Sequence, residues 1–294
     1  MFFPRLKIWL LAIRPKTLPA SIAPVLLGTA MAAGDGVADW PTALMALVGA
    51  VMIQIGTNLA NDYFDFQKGA DTAERVGPLR VTQAGLIKPN SMKCAIALVF
   101  SCAALTAIAL ILRAGWPIAV IAVLSILSGI FYTAGPRPLG YLGLGEIFVL
   151  IFFGPVAVAG TYYVQSFEIN LAVILAGVPM GLFSAAILAV NNLRDIDTDR
   201  KSGKRTLAVR FGKSFAQLEY LIFIMLASLM PILIYVLVDD HPLILLSTSV
   251  LLLATPSIFA VFTKSSGPAL NGALAYTGML LLIYTAVFSV GWAL

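Results

Sequence analysis

Of the 294 residues, 60% are hydrophobic and only 11% charged, which leaves too few polar side chains to cover a water-soluble globule of this size. The formal net charge of +5 arises from 19 Lys and Arg against 14 Asp and Glu. The basic residues gather at the ends of apolar stretches, so the excess reflects membrane topology and gives no reason to expect a nucleic-acid partner.

About 20 apolar residues are needed to cross roughly 30 Å of hydrocarbon at 1.5 Å per residue. Nine candidate stretches follow one another: Thr17 to Ala33, Pro41 to Ala60, Ala95 to Leu112, Pro117 to Tyr132, Ile147 to Tyr163, Leu171 to Val190, Tyr220 to Val238, Pro242 to Phe262 and Ala269 to Leu294. Unpaired backbone amides are costly in lipid, and runs this long without period-two alternation read as helices rather than barrel strands. The expected fold is all-α: a polytopic membrane bundle of nine transmembrane helices, forming one domain over residues 1–294.

Orientation follows from the basic residues. With the N-terminus in the cytoplasm and every stretch crossing once, 18 of the 19 fall on the cytoplasmic side and Arg113 alone outside. The C-terminus is then expected outside. Basic residues ahead of the first stretch, with small residues at Ala30 and Ala32, also resemble a cleavable signal peptide. Cleavage would discard Arg14, Pro15 and Lys16, which recur below, and retention is expected. Cys94 and Cys102 lack the spacing of metal or redox motifs, and a single histidine, His241, supplies neither a zinc site nor a Ser/His triad.

Seven of the 14 acidic residues, Asp62, Asp65, Asp71, Glu74, Asp195, Asp197 and Asp199, gather in two short runs, each following a helix, inside the cytoplasmic motif loops of about 61–93 and 191–219. After the second helix, Asn58, Asp62 and Asp65 are spaced by four and three, so a helix places them on one face, with Asn61 and Asp65 as a neighbouring pair. After the sixth, Asn191, Asp195 and Asp199 recur every four residues. Both segments contain Asn-x-x-x-Asp, a pattern consistent with a weak internal duplication that brings two acidic faces to one central cavity.

Clustered carboxylates at a membrane edge repel one another, and burying each is costly, so a cation should neutralise them. Mg²⁺ suits an all-oxygen site, since one or two carboxylates usually hold it while substrate phosphates and waters complete its shell. Two clusters suit two ions bridged by a diphosphate. Lys68, Arg75, Arg80, Lys204, Arg205 and Arg210 would take the remaining phosphate oxygens. The competing reading is of solvated loops whose mixed charges only set topology; two such segments in one chain argue against it. The Gly140 to Gly145 run follows no strand and reads as a flexible turn, not a phosphate loop.

These segments resemble the signatures of the UbiA superfamily of intramembrane prenyltransferases, and within it the branch whose acceptor is 1,4-dihydroxy-2-naphthoate. The residues that carry the resemblance are Arg14 to Pro19, Asn61-Asp62-Tyr63, Gly77 to Arg80, Tyr132-Thr133, Arg137-Pro138, Gly140-Tyr141, Asn191 to Asp195, Gly203-Lys204 and Thr206-Leu207. One position departs: the general pattern Asn-x-x-x-Asp-x-x-x-Asp, counted from Asn61 and Asp65, reaches Gly69.

The resemblance implies transfer of a long polyprenyl chain from its diphosphate to the naphthoate with loss of CO₂, at the cytoplasmic face of a bacterial inner membrane. It implies Mg²⁺ held by Asp65, Asp195 and Asp199, with Asp62 and Asp71 competing for the remaining place. It also implies a catalytic part for Tyr132, whose ring would face an allylic cation, alongside Asp62, Asp65, Asp195 and Asp199. Substrate binding is expected from Arg14, Asn58, Asn61, Lys68, Arg75, Arg80, Arg137, Asn191, Asn192, Arg194 and Lys204. No obligate protein partner is expected. The alternatives are the same chemistry on 4-hydroxybenzoate, and a secondary transporter, which would place its ionisable residues near the bilayer midplane.

Overall fold

The computed structural model describes residues 2–70, 77, 79–238, 240–264 and 267–294. Among these, every regular element is helical: α1 Phe2–Ile13, α2 Pro19–Gly34, α3 Trp40–Gln67, α4 Pro89–Ala114, α5 Trp116–Phe131, α6 Gly145–Phe152, α7 Pro155–Ser166, α8 Leu171–Arg194, α9 Ile196–Lys201, α10 Leu207–Phe211, α11 Lys213–Val238, α12 Val250–Leu253, α13 Thr255–Thr263 and α14 Gly267–Ala293. Short 3₁₀ segments cover Pro15–Thr17, Leu139–Tyr141 and Pro242–Ser249.

Proline sets several of the starts. Pro19, Pro41, Pro89, Pro117 and Pro155 stand in the first positions of their helices, where no intrahelical N–H is needed. Asp39 and Asn170 cap α3 and α8 by accepting from Thr42 N–H at 3.0 Å and Val173 N–H at 2.9 Å.

Each of the nine apolar stretches is helical, but the elements are not nine uninterrupted spans. Seven are long and apolar enough to cross a bilayer, and an eighth arises when α1 and α2, bent by 56°, count as one. The remaining stretch, α5, has 16 residues, about 24 Å of helix at 1.5 Å per residue. The fifth stretch breaks between α6 and α7, and the eighth is assembled from a 3₁₀ segment, α12 and α13.

The bundle is built round α8, most of whose residues are buried and which packs against α2, α6, α7, α11 and α14. Two glycines permit the α6–α7 break to lie against it. A Cβ on Gly177 would meet Pro155 Cα at 2.6 Å, and one on Gly181 would strike the Leu150 carbonyl. The main core joins α2, α7, α8, α11 and α14 through Leu27, Met31, Val158, Phe183, Tyr220 and Tyr284. A smaller core packs α1 against α3 and α4 round Ala12, Leu59, Tyr63 and Met92.

Polar contacts mark the two ends of the bundle. At one, Arg113 pairs with Asp39 at 2.8 Å, Asp35 accepts from Tyr162 and Trp292, and His241 stacks on Trp292. The other carries both acidic motifs.

Candidate active site

A cavity of about 710 Å³ begins among the motif residues and runs between α2, α3, α4, α5 and α7 to Ala46, Leu110, Ile118 and Val164. Its charged lining lies at the motif end, and small residues, among them Gly49, Ala50, Ala107, Ala122 and Gly160, line the deeper part. That gradient suits a molecule with a charged head and an apolar tail.

From α3 the cavity takes Gln54, Thr57, Asn58, Asn61 and Asp65, one helical face. Asp65 is buried and heavily satisfied. Its Oδ2 accepts from Arg80 Nη2 and Lys204 Nζ, each at 3.0 Å, and its Oδ1 from the Tyr141 hydroxyl at 2.9 Å. Asn61 accepts a hydrogen bond from the Thr133 hydroxyl.

Asp62 stands apart from the other described carboxylates expected to hold metal. It does not line the cavity; its two oxygens accept the backbone N–H groups of Val81 and Thr82 at 3.2 and 3.0 Å. The carboxylate anchors the turn that carries Arg80, each oxygen accepting from one buried amide. Asn58 lines the cavity one turn earlier. Its amide donates to the Ile13 carbonyl at 2.8 Å and the Thr17 hydroxyl at 3.0 Å, so its N–H groups hold the α1–α2 break rather than a substrate. At that break Arg14, which precedes Pro15, takes a left-handed φ of 56° and lines the cavity.

The second motif keeps the spacing read from sequence. Asn191, Asp195 and Asp199 all line the cavity, because the backbone bonds Asp195 N to Asn191 O and Asp199 N to Asp195 O carry the helical repeat across the α8–α9 junction. Arg194 is buried against its neighbour: Nε donates to Asp195 Oδ1 at 2.8 Å and Nη2 to Oδ2 at 2.6 Å, with further bonds to Asn191 and Asn271. It lines the cavity with its donors engaged by the protein, so it neutralises Asp195 first. Asn192 donates to buried Glu146 at 2.7 Å.

The segment between α5 and α6 joins the two motifs. Lys68 donates to the carbonyls of Thr133 at 2.6 Å and Gly135 at 3.0 Å. Arg205 N donates to the Tyr141 carbonyl, and the Arg210 guanidinium to the Leu142 carbonyl. Tyr132 lines the cavity and packs on Gly140 and Gly145, where a Cβ would meet its ring at 2.9 Å and its hydroxyl at 2.8 Å.

Of the residues expected at the site, Arg14, Asn58, Asn61, Asp65, Arg80, Tyr132, Asn191, Asn192, Arg194, Asp195, Asp199 and Lys204 line the cavity. Lys68 stands beside it. Burial lowers its pKa below the usual 10.5, opposed by Asp65 and assisted by repulsion from Lys204. Arg137 is exposed on the segment after α5 and does not line the cavity. Asp71 and Arg75 lie outside the described residues, as does Pro78. Sequence reading missed Tyr141 and Glu146 as functional residues. A carboxylate at the very edge of an apolar stretch was the available signal for Glu146; Tyr141 gave none beyond its place in the resemblance.

The cavity's oxygen donors suit a hard cation. Asp65, Asp195, Asp199, Asn61 and Asn191 offer carboxylate and amide oxygens, and no Cys or His lines it among the described residues. Nor do three acidic or imidazole side chains converge on one point among those residues. Such a set fits Mg²⁺ finished by substrate oxygens better than a cage made by protein alone.

The description "UbiA prenyltransferase family" matches residues 21–276. The 1,4-dihydroxy-2-naphthoate octaprenyltransferase of Escherichia coli is 42% identical over 81% of this chain and 79% of its own. The protein of the same name in Haemophilus influenzae is 36% identical over 98% and 96%. A UbiA homolog from Archaeoglobus fulgidus, solved bound to GPP and Mg²⁺, superposes with a TM-score of 0.70 at 15% identity, covering 98% of this chain and 100% of the other.

Proposed function

The chain belongs to the UbiA prenyltransferase family, and from that premise we propose that it transfers a long polyprenyl group from its diphosphate to 1,4-dihydroxy-2-naphthoate with loss of CO₂. The product would be a demethylmenaquinol. The observation that carries this reading is one cavity that holds both acidic motifs and their paired cations at one end and an apolar interior at the other. The naphthoate acceptor rests on the relatives that bear that name.

Asp65 and the Asp195–Asp199 pair would each hold a Mg²⁺, with Asn61 and Asn191 beside them. When bound, the metal supplies Lewis-acid polarisation of the diphosphate oxygens. Arg80 and Lys204, now on Asp65, are placed to take phosphate oxygens as that carboxylate turns to the metal. The allylic C–O bond breaks with its electron pair leaving on the diphosphate, and the Tyr132 ring offers its negative face to the allylic cation. The ring carbon bearing the carboxyl group bonds to the cation. The carbon–carboxyl bond then returns its electrons to the ring as CO₂ departs. The apolar interior excludes water that would otherwise capture the cation.

Polar contacts alternate along the chain between the two ends of the bundle, from Thr17 and Asn58 to Asp39 and Arg113, then Tyr141, Gln165, Arg194, His241, Asn271 and Trp292. This order supports nine passes through a bacterial inner membrane with the motif end in the cytoplasm. The positive-inside count sets that direction.

The test supplies membranes carrying the protein with a long-chain prenyl diphosphate and either 1,4-dihydroxy-2-naphthoate or 4-hydroxybenzoate, with Mg²⁺ or excess EDTA. Metal-dependent product from the naphthoate alone is expected. Product from 4-hydroxybenzoate alone would overturn the acceptor, and no transfer to either would overturn the reaction.

A further inference from the structure

The Tyr141 ring collects two lysines from the two motifs. Lys68 Nζ lies 4.7 Å and Lys204 Nζ 5.0 Å from its centroid, while its hydroxyl donates to Asp65 at 2.9 Å. One side chain thus touches a cation from each motif and a motif carboxylate as well.

The two ammoniums differ in freedom. Lys68 is tied to the carbonyls of Thr133 and Gly135, so it pins the ring. Lys204 is ion-paired with Asp65 and lines the cavity. A carboxylate that turns to a metal releases Lys204, which then needs a second attraction to keep it at the cavity rim. The negative face of an aromatic ring supplies one without competing for the phosphate.

We propose that Tyr141 is a positioning residue for diphosphate: its ring holds Lys204 at the cavity rim as Asp65 changes partner, and its hydroxyl orients Asp65. This rests on the diphosphate half of the proposed function and deepens it. The diphosphate-binding step is tested apart from turnover.

The probe is inorganic pyrophosphate with Mg²⁺, titrated calorimetrically into the full-length protein in lipid nanodiscs. One lost cation–π contact plus the lost hydroxyl predicts that Tyr141→Leu weakens binding about tenfold. Tyr141→Phe keeps the ring and should stay within about threefold of the parent, a rescue that a purely structural role for the hydroxyl would not produce. In a Lys204→Met background, Tyr141→Leu should cost no more than about threefold, the share of the hydroxyl alone, because the ammonium the ring positions is gone.

Phenylalanines of increasing ring fluorination at position 141 keep the shape while draining the ring's negative face. They should weaken binding stepwise, and they serve if the leucine variant does not fold. Unchanged pyrophosphate affinity in the leucine or fluorinated variants would overturn the proposal, as would a full tenfold effect of Tyr141→Leu without Lys204. A parent protein that binds pyrophosphate but prenylates no aromatic acceptor would overturn the proposed reaction and leave the Tyr141 result standing.

Discussion

Arg194 and Asp195, adjacent in sequence, form a two-point ion pair in which the side chains are 1% and 3% exposed. A buried carboxylate that lines a binding cavity thus brings its own counter-charge from the preceding residue. This lets the motif fold with no cation present, and it leaves Asp195 oriented.

Arg194→Met removes the charge that permits Asp195 to be buried. Breaking a buried pair by deleting one partner typically costs about 3–5 kcal/mol. We expect a large fall in the unfolding midpoint in detergent, and a partial recovery when Mg²⁺ is added. A midpoint within the error of the parent would show that the pair carries no such weight.

Asp62 and Asp195 should separate in their effects. Asp195→Asn, which keeps the shape and removes a charge facing the cavity, is expected to lower kcat by at least about 100-fold, as loss of a key electrostatic group commonly does. Asp62→Ala strips two buried amides, Val81 and Thr82, of their acceptor, at about 1–3 kcal/mol each. It should therefore show as lost stability and faster proteolysis after α3, with an unchanged Mg²⁺ requirement among the molecules that remain folded. Equal Mg²⁺ sensitivity in both variants would restore Asp62 as a ligand.

Lys68 has a pKa lowered by burial in the folded protein. The unfolded chain then binds more protons than the folded one between that lowered value and 10.5, so this group makes stability rise with pH through the window. Lys68→Met should flatten that alkaline rise in unfolding midpoint measured from pH 8 upward. Because diphosphate stabilises the ammonium, ligand binding near the lower edge of the window should take up protons, detectable as a buffer-dependent binding enthalpy.

At the end away from the motifs, Asp35 accepts from the Tyr162 hydroxyl at 2.6 Å and Trp292 Nε1 at 2.9 Å, tying α2, α7 and α14 together. Hydrogen bonds to a charged group contribute about 1.5–3 kcal/mol each. Asp35→Leu should lower the unfolding midpoint while leaving KM for both substrates unchanged in the folded fraction. A changed KM would show that this end communicates with the cavity.

The second motif was legible residue by residue: a four-residue spacing at a helix end places Asn191, Asp195 and Asp199 on one face whatever surrounds them. The first was legible only in part. Helical geometry allows Asn58, Asp62 and Asp65 to share a face, yet it does not decide which edge of that face turns to the cavity. The amides of Val81 and Thr82, nineteen and twenty residues on, claimed Asp62. Tyr141 and Glu146 stayed hidden because their roles depend on partners 46 to 76 residues away.

What the sequence determined by itself is whatever depends on local composition and period: an all-helical membrane chain, the places where helices begin at proline, and two acidic clusters at helix ends. Only the tertiary structure decided which charges meet, that Arg194 serves Asp195, that Asn58 braces the α1–α2 break, and that one tyrosine links the two motifs. Helical periodicity is an intrinsic property of the backbone, whereas the neighbour across a cavity is set by the packing of helices far apart in the chain.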